Sequence, residues 1–283
     1  VTVAIALLAG IVAATVLERT TRTALAQPVL VRENYRGHRL TTASGLLLVV
    51  AVLAIDGIRT LAELAGASDG VTARDRLLVL ATVVAFGALG FVDDALGDND
   101  EKGLKGHVRA ALHGKVTTGF IKLGGGASAA LVIAGTVLGD QPGRVLLDAA
   151  LIALAANMGN LFDRAPGRTI KVGILVYVPL AIVAGTSATG LALAVVVGAA
   201  IGLLPSDLAE RSMLGDTGAN ALGAALGVAA VLTVAPGTRT IIVVVLLVLT
   251  LLSEVVSFSK VIRRVPPLHL LDRLGRIPEE AAS

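Results

Sequence analysis

The sequence has no cysteine and no tryptophan, two tyrosines, five phenylalanines and four histidines. Without cysteine there is neither a disulfide nor a thiolate metal site, so a bound metal must rest on oxygen or imidazole. So few aromatic residues leave little for the belt that anchors many membrane proteins at their interfaces. Charge is scarce too. Only 16% of the 283 residues are Asp, Glu, Lys or Arg, against about 25% in an ordinary soluble domain. A net charge of +3 gives no sign of a nucleic-acid partner, and none is expected.

Apolar residues are abundant instead, at 55% of the chain with a mean hydropathy of +0.83. A membrane span needs about 20 apolar residues to cross a hydrocarbon core of about 30 Å. Such runs occur at roughly 1–17, 43–65, 77–92, 116–138, 145–161, 171–186, 188–204, 217–235 and 240–258. This pattern predicts an all-α polytopic transmembrane bundle of nine spans, with 1–283 as one integral membrane domain. Val1 to Leu17 has no basic stretch before it and no cleavage site after it. It therefore reads as a first span and not as a secretion signal.

The connections alternate in character. Those at 18–42, 93–115, 162–170, 205–216 and 259–283 carry, with the adjoining Lys122 and Lys171, 19 of the 24 basic residues. The positive-inside rule assigns that side to the cytoplasm. The reading is then a multi-pass plasma-membrane protein with its N-terminus out and its C-terminus in. Gly198/Gly202 and Gly223/Gly227 have the spacing that lets helices approach closely in lipid. Packing inside one bundle is the preferred reading of these pairs, with a homodimer interface as the less favoured alternative.

The chemistry-bearing residues all fall on the basic side. Asp93 and Asp94 end the run Gly90-Phe91-Val92, where adjacent carboxylates need solvent, a partner or a metal. The next segment places Lys105, Arg109 and His113 along one helical stripe, with His107 and Lys115 beside it. That stripe suits either anionic headgroups or substrate phosphates. Asn157, Asn160 and Asp163 recur three residues apart, on one helix face. The amides either join helices or hydrogen-bond a nucleobase. Asp216 lies in Gly215-Asp216-Thr217-Gly218, a setting that suits Mg²⁺, although Asp216 or Thr217 could also cap the following helix. The segment from Arg263 and Arg264 to His269 offers cations for anionic lipid and an imidazole for a diphosphate. Carboxylates, amides and cations gathered at one membrane face fit Mg²⁺-assisted chemistry on a phosphorylated substrate. A transporter would hold its charges nearer the midplane.

The order of these motifs resembles the polyprenyl-phosphate N-acetylhexosamine-1-phosphate transferases. The likeness runs from Asn34 to Gly275 through Asn34-Tyr35-Arg36-Gly37, the Asp-Asp pair, Asn-x-x-Asn-x-x-Asp and Gly-Asp-Thr-Gly. It implies transfer of a sugar-1-phosphate, a HexNAc-1-phosphate, from a UDP-sugar to undecaprenyl or another polyprenyl phosphate, with release of UMP, in cell-envelope glycan synthesis. It also implies that Asp216 binds Mg²⁺, with Mn²⁺ as the alternative ion. Asp93, Asp94, Asp163, Lys105 and His269 are the catalytic candidates. Asn34, Asn157, Asn160, His107, Lys115, Lys122, Arg263 and Arg264 are the substrate-binding candidates. Three positions depart from the family pattern. Pro166 stands where a second aspartate is usual, His269 is alone where the family has two or three histidines, and Ser206 replaces an asparagine ten residues before Asp216. The chain also ends soon after the histidine segment, where the family has a tenth span. These departures point to a divergent branch, with a non-catalytic polyprenyl-phosphate-binding or scaffold relative as the alternative reading.

Overall fold

The computed structural model describes residues 2–34, 36–67, 73–96, 118–138 and 141–278. Among these residues nine helices have 17 or more residues, and each predicted apolar run falls on one of them. They are α1 (Thr2–Thr21), α2 (Ala43–Leu64), α3 (Ala73–Leu96), α4 (Thr118–Leu138), α5 (Pro142–Phe162), α6 (Arg168–Ala184), α7 (Ala188–Leu208), α8 (Gly215–Thr233) and α9 (Pro236–Ser253). By length and apolarity α1, α2, α3, α5, α7 and α9 can cross a membrane. The protein is an integral membrane helix bundle. Helix α6 has only 17 residues, and α8 is a Gly- and Ala-rich helix buried along almost its whole length.

Two elements in the connections differ from the all-α expectation. Strands β1 (Val31–Glu33) and β2 (Arg39–Thr41) pair antiparallel, with Val31 opposite Thr41 and Glu33 opposite Arg39. Three-residue strands are too short to show a period in sequence. The hairpin is held from outside: Thr41 bridges to Ser212, and the Met213 N–H donates to the Thr41 carbonyl at 2.8 Å. After α9 the chain forms two short helices, α10 (Phe258–Arg264) and α11 (Pro266–Arg273). Pro142, Pro236 and Pro266 each sit at a helix start, where the missing N–H is no loss.

Small residues explain how the bundle closes. Lipid gives helices no hydrophobic reason to associate, so close backbone packing must do it. Helix α8 is the centre of the bundle. A side chain at Gly45 of α2, Gly90 of α3 or Gly159 of α5 would strike the α8 backbone. Gly223 and Gly227 are packed against Ala155 and Ile152 of α5. Gly198 and Gly202 pack against Leu7 and Ile11 of α1, and the Thr15 hydroxyl donates to the Gly202 carbonyl at 3.3 Å. Both glycine pairs are thus used inside the chain. Gly198→Ala places a methyl group on the Leu7 carbonyl oxygen. Overpacking of this kind destabilises by about 1–3 kcal/mol, so the variant should unfold at lower temperature in detergent. An unchanged midpoint would contradict the α1–α7 packing.

At the end of the bundle opposite the motifs, the buried arginines are ion-paired, although Arg76 Nε, Asp148 Oδ1 and Arg239 Nε make no hydrogen bond among the described residues. Arg76 meets Asp56 at 3.1 Å and Glu63 at 2.5 Å. Arg239 donates to Asp148 at 2.5 Å and to the Val231 carbonyl at 3.2 Å. Such pairs tie helices together where a lone charge would be unstable.

Candidate active site

The motif end is arranged differently. Asp94, in the last turn of α3, points both carboxylate oxygens at the start of α8. One accepts the Asp216 N–H at 3.0 Å, and the other accepts the Thr217 N–H at 2.9 Å and the Thr217 hydroxyl at 2.6 Å. The first N–H groups of a helix lack partners within it and carry its positive dipole end. Asp94 supplies both an acceptor and a negative charge, so the cap comes from another helix and not from Asp216 or Thr217. Gly215 makes this approach possible. It has a φ of +66°, and a Cβ there would lie 2.8 Å from Asp94 Oδ2.

Asp216 is thereby left free for other partners. Its Oδ2 is paired with the Lys122 ammonium from the first turns of α4, and Lys122 also reaches Asp93 Oδ2 at 3.3 Å. Asn160 of α5 closes the group once its amide is oriented to suit both neighbours, which puts its nitrogen 2.7 Å from Asp216 Oδ1 and its oxygen 2.8 Å from Lys122 Nζ. Four helix ends therefore bring Asp93, Asp94, Lys122, Asn160 and Asp216 together.

Asp163 follows directly at the end of α5. Burial pushes its carboxyl well above the ordinary range, and the charges of Asp207, Asp216 and Asp94 push the same way. Asp207 is a member of this end that the motif reading passed over. It is buried and accepts the Gly167 N–H at 2.9 Å, which fixes the turn between Asp163 and α6. A lone Asp beside Ser206 carried no spacing signal for that role.

Other candidates have local partners. Asn157 donates to Thr250 of α9 at 3.3 Å, joining two helices. Asn34 accepts the N–H groups of Arg36 at 2.8 Å and His38 at 2.9 Å, closing the hairpin tip, and donates to Glu210 at 2.7 Å. It thus clamps the hairpin to the loop before α8. Arg263 and Arg264 are exposed on α10. His269 lies on α11, with its Nδ1 buried and not hydrogen-bonded among the described residues. Lys105, His107 and Lys115 lie outside the described residues.

An apolar cavity of about 700 Å³ starts beside this cluster, at Gly159, Phe162 and Thr169, and runs between α5, α6, α8 and α9 towards Ala235 and Thr238. Val176 and Val183 in its wall are exposed, so it opens on the outer surface of the bundle.

The fold and the site define an integral membrane helix bundle with interacting carboxylates, a lysine and an amide gathered at one end, beside an apolar cavity. Comparison with known proteins gives the family. The phospho-N-acetylmuramoyl-pentapeptide-transferase of Desulforudis audaxviator is 32% identical over 254 residues, covering 80% of this chain and 71% of that protein. Those of Halalkalibacterium halodurans and Desulforamulus reducens are each 28% identical, over 243 and 251 residues, covering 81% of this chain and 73% and 72% of the relatives. No family model matches the chain. The chain belongs to the phospho-N-acetylmuramoyl-pentapeptide-transferase family as a divergent relative.

Proposed function

We propose that the protein transfers a HexNAc-1-phosphate from a UDP-sugar to undecaprenyl or another polyprenyl phosphate, releasing UMP, in cell-wall glycan synthesis. The observation that carries this reading is the Asp93–Lys122–Asp216–Asn160 cluster at the end of an apolar cavity, in a chain of this family. The excess of basic residues at that end supports a cytoplasmic active site, and nine spans would put both the hairpin and α11 there.

The acceptor's phosphate oxygen attacks the sugar-bearing phosphorus, and the bridging oxygen leaves with UMP. A phosphate monoester has its second pKa near about 6, so the nucleophile is already largely ionised and needs no strong base. Asp93 orients it or takes its last proton. Lys122 moves from the carboxylates to the phosphoryl oxygens as charge builds there. Asp163 and Asn160 serve the nucleotide side. Lys105, His107 and Lys115 are proposed phosphate ligands, with His269 and the exposed Arg263 and Arg264 at the rim. Asp94 acts by holding the first turn of α8, which fixes Asp216.

Mg²⁺, or Mn²⁺ in its place, fits the donors that surround the Lys122 ammonium, because Asp216, Asp93 and Asn160 offer hard oxygens. Among the described residues no group of three His, Asp or Glu could hold a metal ion by itself, so substrate phosphate and water would have to complete the shell. Held by Asp216 with Asp93, the ion would supply Lewis-acid stabilisation of the diphosphate.

The deciding assay incubates purified protein with radiolabelled UDP-sugars, undecaprenyl phosphate and Mg²⁺ and measures UMP. Release with one UDP-HexNAc supports the reading. Silence with every common UDP-sugar favours the non-catalytic relative.

A further inference from the structure

The helix that carries His269 is held by polar side chains instead of an apolar face. Helix α10 buries no residue, and α11 buries only Asp272. Arg168, the first residue of α6, grips Asp272 with two parallel hydrogen bonds of 2.8 and 3.0 Å. Its third nitrogen donates to Ser259 at 2.8 Å. Arg276 also donates to Asp272, and its Nε donates to the Pro166 carbonyl at 2.9 Å. Lys171 Nζ reaches the carbonyls of Asp272 at 2.9 Å and Leu274 at 2.6 Å, the unpaired end of α11. Nearby, Phe258 stacks on Phe162 at 5.6 Å between ring centroids.

Burial alone would raise the Asp272 carboxyl, but Arg168 and Arg276 outweigh it and hold it below the ordinary range. A buried ion pair is weak as a source of stability, whereas a planar guanidinium on a carboxylate fixes direction. His269 lies three residues before Asp272, on the same helix face. Arg168 lies five residues after Asp163, across the turn that Asp207 fixes. A bidentate contact, flanked by the Arg276 and Lys171 bonds, therefore joins the Asp163 loop to the His269 helix.

We propose that Arg168 and Asp272 form a latch that positions His269 at the rim of the site. Both are positioning residues, since neither needs to touch substrate. The kinetic consequence rests on the transferase reading above, while the structural consequence does not.

The test uses the full chain in detergent, with Arg168→Gln and Asp272→Asn made separately. In the first arm, each variant should lower kcat/KM for the UDP-sugar by roughly tenfold to a hundredfold, as a small misplacement does. In a His269→Ala background, Arg168→Gln should add less than about a twofold loss, because residues acting as a unit are not additive. A full further loss in that background overturns the latch. In the second arm, mass spectrometry follows diethyl pyrocarbonate modification of the His269 peptide, with the His38 peptide as folding reference. Faster modification of His269 alone in either variant supports the latch, and an unchanged rate in both overturns it. If the wild-type chain releases no UMP, the transferase reading fails and the second arm alone decides the latch.

Discussion

Asp216→Asn should reduce UMP release by about a thousandfold while leaving the fold in place. The carboxylate supplies the anionic oxygen facing Lys122 and is the proposed metal ligand. Metal-assisted charge stabilisation contributes several kcal/mol, and each 1.36 kcal/mol is about a factor of ten in rate. A loss of about 4 kcal/mol gives the expected factor. Stability should hold because the caps of α8 come from Asp94, and Lys122 keeps Asp93 as a partner. The check is the initial rate of UMP release against Mg²⁺ concentration, beside a thermal melt. Wild-type Mg²⁺ dependence in the variant would remove Asp216 from the metal site.

Asp94→Ala should have the opposite profile, with a large loss of stability and activity falling as a consequence. The substitution takes away the acceptor of two backbone N–H groups and one hydroxyl at a buried helix end. Each orphaned buried donor costs about 1–3 kcal/mol, and the lost charge at the dipole adds about 0.3–1 kcal/mol. The sum is at least about 3 kcal/mol, a large part of the about 5–15 kcal/mol that holds a typical domain folded. Asp94→Asn should lie between, because its amide turns one donor towards another. Asp93→Asn should leave the melting curve nearly unchanged and reduce turnover. Equal melting temperatures for Asp94→Ala and Asp93→Asn would refute this division of labour between the two aspartates.

That division could not be read from the sequence. Successive helical residues point about 100° apart, so adjacent aspartates face different neighbours, and only the packing of α3 on α8 tells which meets the helix start. The helices themselves were legible, because an apolar run in lipid needs no partner to be helical. So was the gathering of Asp93, Asn160, Asp163 and Asp216 at one end, because alternating spans return every second connection to the same face. Features built across long separations were hidden. The Asn34–Glu210 clamp, the Asn157–Thr250 contact and the Arg168–Asp272 grip join residues 176, 93 and 104 positions apart. Short strands with an outside partner were hidden for the same reason. Asp207 was visible as a letter, but its bond to the Gly167 N–H has no periodic signature.

The apolar cavity between α6 and α9 also bears on how substrate reaches the enzyme. Its exposed wall at Val176 and Val183 faces laterally out of the bundle, where a lipid tail can enter without first leaving the bilayer. On the proposed reading, encounter with the acceptor is a search in two dimensions. The rate should then follow the mole fraction of polyprenyl phosphate among the surrounding lipids and stay constant when protein and lipid are diluted together in buffer. The water-soluble nucleotide sugar should show ordinary saturation in bulk concentration, so the two substrates of one turnover would be measured on different scales.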